Sequence, residues 1–158
     1  EMATDPLEMH DVAAKHPDVV ERLRRGYEQW FREVSETRGY APPRIYLGAR
    51  QENPVILTRQ DWRGPRAGWA TNSLGHWEVK VARAGTFQIT LQFAAPKTDA
   101  TAHVVLGDAK LNGTLTAGAT EVNLGKVRLV RGDARLEAWI AKGEESVGVH
   151  YVEVKRLD

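Results

Sequence analysis

The pattern of apolar residues changes abruptly at the segment Gly39-Tyr40-Ala41-Pro42-Pro43. Before this segment, apolar side chains recur every three or four positions from Val19 to Val34, which predicts one amphipathic helix. After it, short alternations of apolar and polar residues predict strands almost without interruption. A single helix cannot bury its apolar face alone. We therefore expect residues 1–38 either to pack a helix on a β domain or to close a domain whose other elements lie outside this chain.

Two segments carry signals for the start of a helix. Asp5-Pro6-Leu7-Glu8 offers an N-cap aspartate, a proline in the first turn and a glutamate three positions on. His16-Pro17-Asp18 is a second start, and the long helix of about five turns is predicted to follow it. Gly39 and the proline pair after it are predicted to end that helix.

The strongest strand signal is Phe87–Phe93, in which apolar and polar residues alternate without a break, as they also do in Trp77–Val81. Ala84-Gly85 between them predicts a tight hairpin connection. Arg131-Gly132-Asp133 is interpreted as a short hairpin turn rather than an adhesion motif, and Gly125-Lys126 shifts the alternation as a β-bulge would. Further predicted strands are Arg44–Leu47, Val55–Thr58, Ala102–Leu106, Lys110–Leu115, Glu121–Val130, Ala134–Ile140 and Val147–Val154.

About eight short strands with frequent glycine turns predict a mainly β fold, an antiparallel β-sandwich preceded by one long N-terminal α-helix. The predicted organisation is a helical segment at residues 1–38, a connector at 39–43 and the sandwich at 44–158. Hydrophobic residues make up 42% of the chain and charged residues 27%, which fits an ordered globular protein.

Composition excludes several classes of function. The net charge is +1, so nothing in the charge balance favours a nucleic-acid partner. The absence of cysteine removes disulfides, thiolate metal sites and cysteine nucleophiles. No apolar run is long enough to span a membrane. The five histidines show no metal-ligand spacing, and the chain begins at Glu1 rather than Met, as expected of a piece of a longer protein.

Three tryptophans crowd into one stretch, Trp62, Trp69 and Trp77. Trp77 is in phase with the apolar residues of its strand and is predicted to be buried. The other two either pack in the sandwich or stack on the apolar face of a sugar, with arginines available to meet a sulfate group. The predicted loop that carries them is a common location for binding residues. The candidate sugar contacts are Trp62, Trp69, Arg63, Arg66, Asn72 and His76.

Three further features allow a functional as well as a structural interpretation. Trp139 is out of phase with its apolar neighbours, so we expect it on the outer face of its sheet, as a ligand platform or as the landing site of the helix. Leu111–Thr114 indicates a turn, and Asn112 within it fits a glycosylation acceptor. Four carboxylates are weighed as ligands of a structural calcium, without a loop spacing that singles them out: Asp99, Asp108, Glu121 and Asp133.

Residues 1–36 resemble the closing stretch of the sulfatase family. In that family, an Asp-Pro-x-Glu segment and an Asn/Asp-Leu/Val-Ala segment precede a final long helix. Asp5-Pro6-Leu7-Glu8 and His10-Asp11-Val12-Ala13 match these two segments here. The resemblance implies a parent that hydrolyses sulfate esters with formylglycine beside a calcium ion. The nucleophile motif Cys/Ser-x-Pro-x-Arg is absent from this chain, so no catalytic residue is carried over.

Residues 44–158 resemble β-sandwich modules that follow some bacterial sulfatases and glycosidases, including galactose-binding-like, jelly-roll-like carbohydrate modules. Gly75–Leu91 matches their Gly-x-Trp-x-Val-x-Val and Ala-Gly-x-Tyr/Phe hairpin, and Glu121–Trp139 and Tyr151–Val154 match their last three strands. Together the two resemblances imply a periplasmic or secreted accessory domain, without catalytic residues or a cofactor of its own. Its expected partners are its own catalytic domain and a sulfated or other polysaccharide. The alternative is a purely structural domain, with a dimer through the exposed helix as a further possibility.

Overall fold

The computed structural model describes residues 1–37 and 39–158. Its internal contacts divide the chain into two compact units, Glu1–Pro42 and Pro43–Asp158. In the first unit, helix α1 spans Pro17–Glu36 and begins with proline at its first turn, as predicted. A short 3-10 turn at Ala13–Lys15 precedes it. No helix in the described part of the chain is both long and apolar enough to cross a lipid bilayer.

The predicted helix start at Asp5 is wrong. Residues 1–8 form turns, and the Asp5 carboxylate accepts a hydrogen bond from the backbone N–H of His10 at 2.7 Å. The side chain that was expected to cap a helix closes a loop instead, which is a common use of aspartate outside helices.

Helix α1 exposes its apolar stripe. Each residue from Pro17 to Glu36 is at least partly accessible, and Trp30 is 55% exposed. Tyr27 stacks on Phe31 with ring centroids 5.8 Å apart, and the Arg24–Glu28 ion pair of 2.9 Å lies on the surface. Packing within the first unit therefore leaves this stripe open.

The second unit consists of two β-sheets, which confirms the predicted mainly β sandwich class. The first sheet has the strand order β1-β3-β8-β5-β6, with β9 adjoining β8, and the second sheet has the order β2-β10-β4-β7. All pairs are antiparallel except β1 with β3, which is parallel. The strands are β1 (Ile45–Leu47), β2 (Val55–Thr58), β3 (His76–Val81), β4 (Gly85–Gln92), β5 (Ala100–Leu106), β6 (Ala109–Leu115), β7 (Glu121–Leu129), β8 (Gly132–Lys142), β9 (Glu145–Gly148) and β10 (Tyr151–Arg156).

The core lies between the inner faces of the two sheets. Alternate residues of β3 and β4 are fully or almost fully buried, and Trp77 is among them, as predicted. The indole N–H of Trp77 donates to the backbone oxygen of Thr58 at 2.7 Å, so this buried polar group is satisfied. The contact fixes the end of β2 beside the first turn of the following loop.

Two predicted hairpins are wrong. β3 pairs with β1 and β8, whereas β4 pairs with β10 and β7, so Ala84 lies in a connection that crosses from one sheet to the other. The connection from β7 to β8 also crosses, and Gly132 and Asp133 belong to β8 rather than to a turn. Alternation shows which face of a strand is buried, but it does not reveal the strand's partner.

Three local features refine the strand assignment. The predicted turn at Leu111–Thr114 lies inside β6; the actual turn contains Gly107, whose φ of 59° favours glycine. The predicted strand Val147–Val154 is divided into β9 and β10 by Val149 and His150. The bulge predicted at Gly125 is confirmed, since the β4–β7 register shifts there and its φ is 84°.

Candidate functional site

The segment between β2 and β3 is held at both ends by hydrogen bonds to its backbone groups. Gln60 N–H donates to the Thr58 hydroxyl oxygen at 3.3 Å, at the start of a 3-10 turn. Arg63 and His76 exchange backbone hydrogen bonds of 2.8 and 3.1 Å, and Leu74 N–H donates to the Arg66 carbonyl at 3.0 Å. These hydrogen bonds therefore restrain the backbone of the loop between β2 and β3.

Trp62 is a core residue. It is only 5% exposed, and its ring lies 5.4 Å from that of Trp77 at an angle of 56°. A Cβ added at Gly75 would lie 2.8 Å from Trp62 Cδ2, and one added at Gly148 would also collide with this indole. Of the two alternatives for Trp62, packing is therefore what the structure shows, and we remove it from the candidate sugar contacts.

Arg59 fastens the loop to the segment between β9 and β10. Its guanidinium donates to the carbonyls of Gly148 at 2.8 Å, Val149 at 2.9 Å, Ala70 at 3.1 Å and Trp69 at 3.3 Å. The guanidinium carbon also lies 5.0 Å from the centroid of a core indole ring. Burial lowers the pKa of Arg59 from its ordinary value, yet an arginine stays charged at neutral pH. The loop backbone at Trp69 is thus tied to the sandwich by a cation.

Trp69 projects from this fastened backbone into solvent and is 74% exposed. It lines a cleft of about 420 Å³ together with Gln60, His150 and Tyr151, next to Thr58 and Arg59. Tyr151 is 46% exposed, and the backbone N–H of His150 donates to the Gln92 carbonyl at 2.7 Å. The cleft therefore combines two exposed aromatic rings with amide, imidazole and phenol groups.

Sequence reasoning found Trp69 but missed the residues opposite it. Tyr151 is out of phase with Val152 and Val154, and this was the available signal that it faces outward. Nothing local placed it near Trp69, because the contact depends on β10 lying beside β2.

The remaining sequence candidates do not join this cleft. Arg63 lines a smaller cleft of about 120 Å³ with Arg44 and Glu78. His76 Nε2 lies 3.4 Å from Glu78 Oε1, and Arg66 and Asn72 are exposed on the loop. The six predicted residues are thus distributed over the core, two clefts, the exposed surface of the loop and, for His76, the start of β3.

Glu78 is the centre of a charged cluster on the outer face of the first sheet. Its carboxylate lies 2.6 Å from Arg44 Nη1 and 3.3 Å from Arg135 Nη2, and Arg44 Nε also pairs with Asp133 at 3.0 Å. Burial raises the pKa of Glu78, but the hydrogen bonds and charges of Arg135 and Arg44 outweigh it, and the pKa is lowered overall. Each charge in the cluster has a partner, which indicates a structural role.

The four carboxylates weighed for calcium do not form one cluster, although Asp108 and Asp133 line the same cleft. Asp99 accepts from the Ala117 backbone at 3.2 Å, Glu121 accepts from Gln92, and Asp133 pairs with Arg44. Within residues 1–37 and 39–158, no group of three or more histidine, aspartate or glutamate side chains is placed to hold a metal ion.

Trp139 lies on the outer face of the first sheet and is half-buried, as its phase predicted. Its ring stacks on that of His103, with centroids 5.0 Å apart and planes 12° apart, and His103 Nδ1 lies 2.9 Å from Asn112 Oδ1. One face of Trp139 is therefore covered by a neighbouring strand. Its use as a ligand platform or as a landing site for the helix stays a prediction.

No family model matches the sequence, and no curated protein matches it. Among solved structures, a GH26-CBM35 β-(1,4)-mannanase from Podospora anserina is 16% identical with a TM-score of 0.47, covering 67% of this chain and 28% of that one. The CBM36-1 domain of a multidomain xylanase from the hindgut metagenome of Trinervitermes trinervoides is 17% identical, with a TM-score of 0.49 and coverages of 67% and 99%. A mannan binding module from Man5C is 16% identical, with a TM-score of 0.48 and coverages of 66% and 99%. This chain thus spans little more than a quarter of the mannanase, and similarity at this level transfers neither a ligand nor an activity.

Proposed function

We propose that this chain is a non-catalytic accessory module that binds a glycan in the cleft beside Trp69. The observation that carries the proposal is the exposure of Trp69, 74%, on a loop whose backbone is tied down by Arg59. An exposed indole offers a large, flat apolar face on which a ligand can pack. Its fixed backbone lowers the entropy lost when a ligand binds.

The cleft has the chemistry that a sugar requires. A pyranose presents an apolar face of C–H groups, which packs on an indole, and a rim of hydroxyls, which need donors and acceptors. Gln60, His150 and Tyr151 supply such groups around Trp69. Ligand sites combine apolar walls with a few polar groups in this manner.

The cleft favours hydroxyl groups over sulfate groups. Recognition of an oxyanion is strongest when an arginine offers two free N–H donors. Arg59 is the arginine of this cleft, and both terminal nitrogens of its guanidinium donate to backbone carbonyls. We therefore expect neutral glycans to bind at least as well as sulfated ones, which revises the expectation from the sequence.

Isothermal titration calorimetry against a panel of neutral and sulfated soluble polysaccharides tests the proposal. We expect saturable binding of at least one polysaccharide, weakened about tenfold or more in Trp69→Ala, as for an aromatic hot spot. Trp30→Ala is the matched control, because it removes another exposed tryptophan from the other unit. Equal affinities of Trp69→Ala and the wild type, or no binding to any member of the panel, contradict the proposal.

We also infer a sulfatase parent, periplasmic or secreted, from the resemblance of residues 1–36. Helix α1 at Pro17–Glu36 follows the two matched segments, in the order found in that family. The parent's catalytic domain would be the module's partner and would use calcium and formylglycine. The coding sequence upstream of Glu1 tests this inference. A Cys/Ser-x-Pro-x-Arg motif is expected there, and an upstream reading frame without it contradicts the inference.

A structural function is the second candidate, and the exposed stripe of α1 favours it. Leu23, Tyr27 and Trp30 are each more than half exposed, and contiguous apolar surface of this kind is typical of an interaction site. In the isolated chain this stripe predicts a dimer through the helix. Light scattering after gel filtration is expected to show a dimer that Leu23→Glu converts to a monomer. A wild-type monomer at all concentrations contradicts the dimer.

A further inference from the structure

We infer that the proposed site binds an internal stretch of a neutral, extended glycan chain, along a groove that continues from Trp69 across the end of the second sheet to Glu121. This inference rests on the proposed function and specifies the ligand of the same site. Its basis is a second cleft that adjoins the first through two shared lining residues.

The two clefts share His150 and Tyr151. The second cleft has a volume of about 330 Å³, and its other lining residues include Gln92, Thr120 and Glu121. The two clefts therefore adjoin at His150 and Tyr151, with Trp69 lining the first and Glu121 lining the second, and together they form the groove of this inference.

Strand register fixes the direction and the length of this groove. Thr58 pairs with Tyr151, Tyr151 pairs with Gln92, and Gln92 pairs with Glu121, so these residues form one row across β2, β10, β4 and β7. With neighbouring strands about 4.8 Å apart, the row spans roughly 14 Å. Successive units of an extended polysaccharide repeat at a spacing similar to that of strands, so the groove accommodates several consecutive units.

Polar side chains at the Glu121 end of the groove are held in position to bind hydroxyl groups. Gln92 Nε2 donates to Glu121 Oε2 at 3.1 Å, which holds both side chains in place. Gln92 Oε1 and Glu121 Oε1 remain available as acceptors, and both residues are exposed. A carboxylate repels sulfate and uronate groups, so this end selects a neutral chain.

The side chains at the two ends of the groove are exposed. Trp69 and Glu121, which terminate it, are exposed side chains on the surface of the unit. A glycan chain can therefore enter at one end and leave at the other. This geometry favours recognition along a chain over recognition of a chain terminus.

Calorimetry with linear xylo-, manno- and gluco-oligosaccharides, from the disaccharide to the hexasaccharide, tests the inference on the whole chain. We expect affinity to rise about tenfold or more between the shortest and the longest member of at least one series. Gln92→Ala and Glu121→Ala are expected to remove about five- to tenfold of this gain. Gln88→Ala is the matched control, because Gln88 lies on the same face of β4 but outside the groove.

The outcomes separate the two claims. Binding that does not depend on length, but is lost in Trp69→Ala, overturns the extended groove and leaves the proposed function standing. Length-dependent binding that is unchanged in both Gln92→Ala and Glu121→Ala also overturns the groove. No binding in any of the three series overturns the extended groove, and no binding across the polysaccharide panel as well overturns the proposed function with it.

Discussion

Replacing Arg59 with lysine tests whether this side chain fixes the loop that carries Trp69. The carbonyls of Gly148 and Val149 belong to buried residues, and each buried carbonyl left unpaired costs about 1–3 kcal/mol. The carbonyls of Trp69 and Ala70 belong to exposed residues, where water replaces the lost donor. Lysine keeps the charge and can satisfy one of the buried pair. One buried carbonyl then stays unpaired, so we expect Arg59→Lys to lower the free energy of unfolding by about 1–3 kcal/mol.

Urea denaturation followed by tryptophan fluorescence measures this loss, and Arg66→Lys is the matched control. Arg66 is an exposed arginine of the same loop, so its replacement is expected to change stability by less than about 0.5 kcal/mol. Arg59→Lys is also expected to weaken glycan binding, because the backbone at Trp69 loses its anchor. If Arg59→Lys is as stable as Arg66→Lys, the four hydrogen bonds do not fix the loop and the reasoning is refuted.

Three further predictions concern the packing and charge of the two units. Gly75→Ala is expected to lower the free energy of unfolding by about 1–3 kcal/mol, since the added Cβ would lie 2.8 Å from Trp62. Trp62→Leu in the same chain is expected to relieve part of that cost. Additive losses of stability in a double-mutant cycle measured with urea would argue against the collision. Glu78→Gln is expected to lose about 1–3 kcal/mol at neutral pH. Because the pKa of Glu78 is lowered in the folded state, its stabilising contribution is present above the ordinary pKa and disappears as pH falls through the folded value. The free energies of unfolding of the wild type and Glu78→Gln should therefore become equal in acid. A difference in stability that persists there opposes this account. Gly26→Ala is expected to stabilise α1 by about 0.5–1 kcal/mol, since nothing lies within 4 Å of the added Cβ. Circular dichroism on heating is expected to show that the variant keeps its helical signal better than the wild type does. A helical signal equal to or lower than that of the wild type would contradict this prediction.

Periodicity predicted the elements well, because burial on one side of a strand or helix is a local property of the sequence. The helix at Pro17–Glu36 and the alternating strands β3 and β4 followed directly from it. It did not predict pairing, which depends on residues far apart in the chain. Alternation on either side of Ala84-Gly85 therefore predicts a hairpin, although β3 and β4 belong to different sheets.

The candidate site was predicted only in part, because it too depends on contacts between residues far apart in the chain. Trp69 and Trp62 lie in a segment without strand periodicity, so nothing local distinguished the exposed ring from the buried one. In the structure, Trp62 is the buried one because Gly75 and Gly148 have no side chains and leave room for its indole. Tyr151 reaches the cleft only because β10 pairs with β2, a contact between residues almost a hundred positions apart.

Titration of the whole ¹⁵N-labelled chain with a neutral polysaccharide, followed through its tryptophan indole N–H resonances, tests the central claim most directly. The chain has five tryptophans, and single substitutions assign their signals. The account predicts a saturable shift of the Trp69 resonance, while those of buried Trp62 and Trp77 stay close to their positions. A stationary Trp69 resonance at saturating neutral polysaccharide would contradict glycan binding at this cleft.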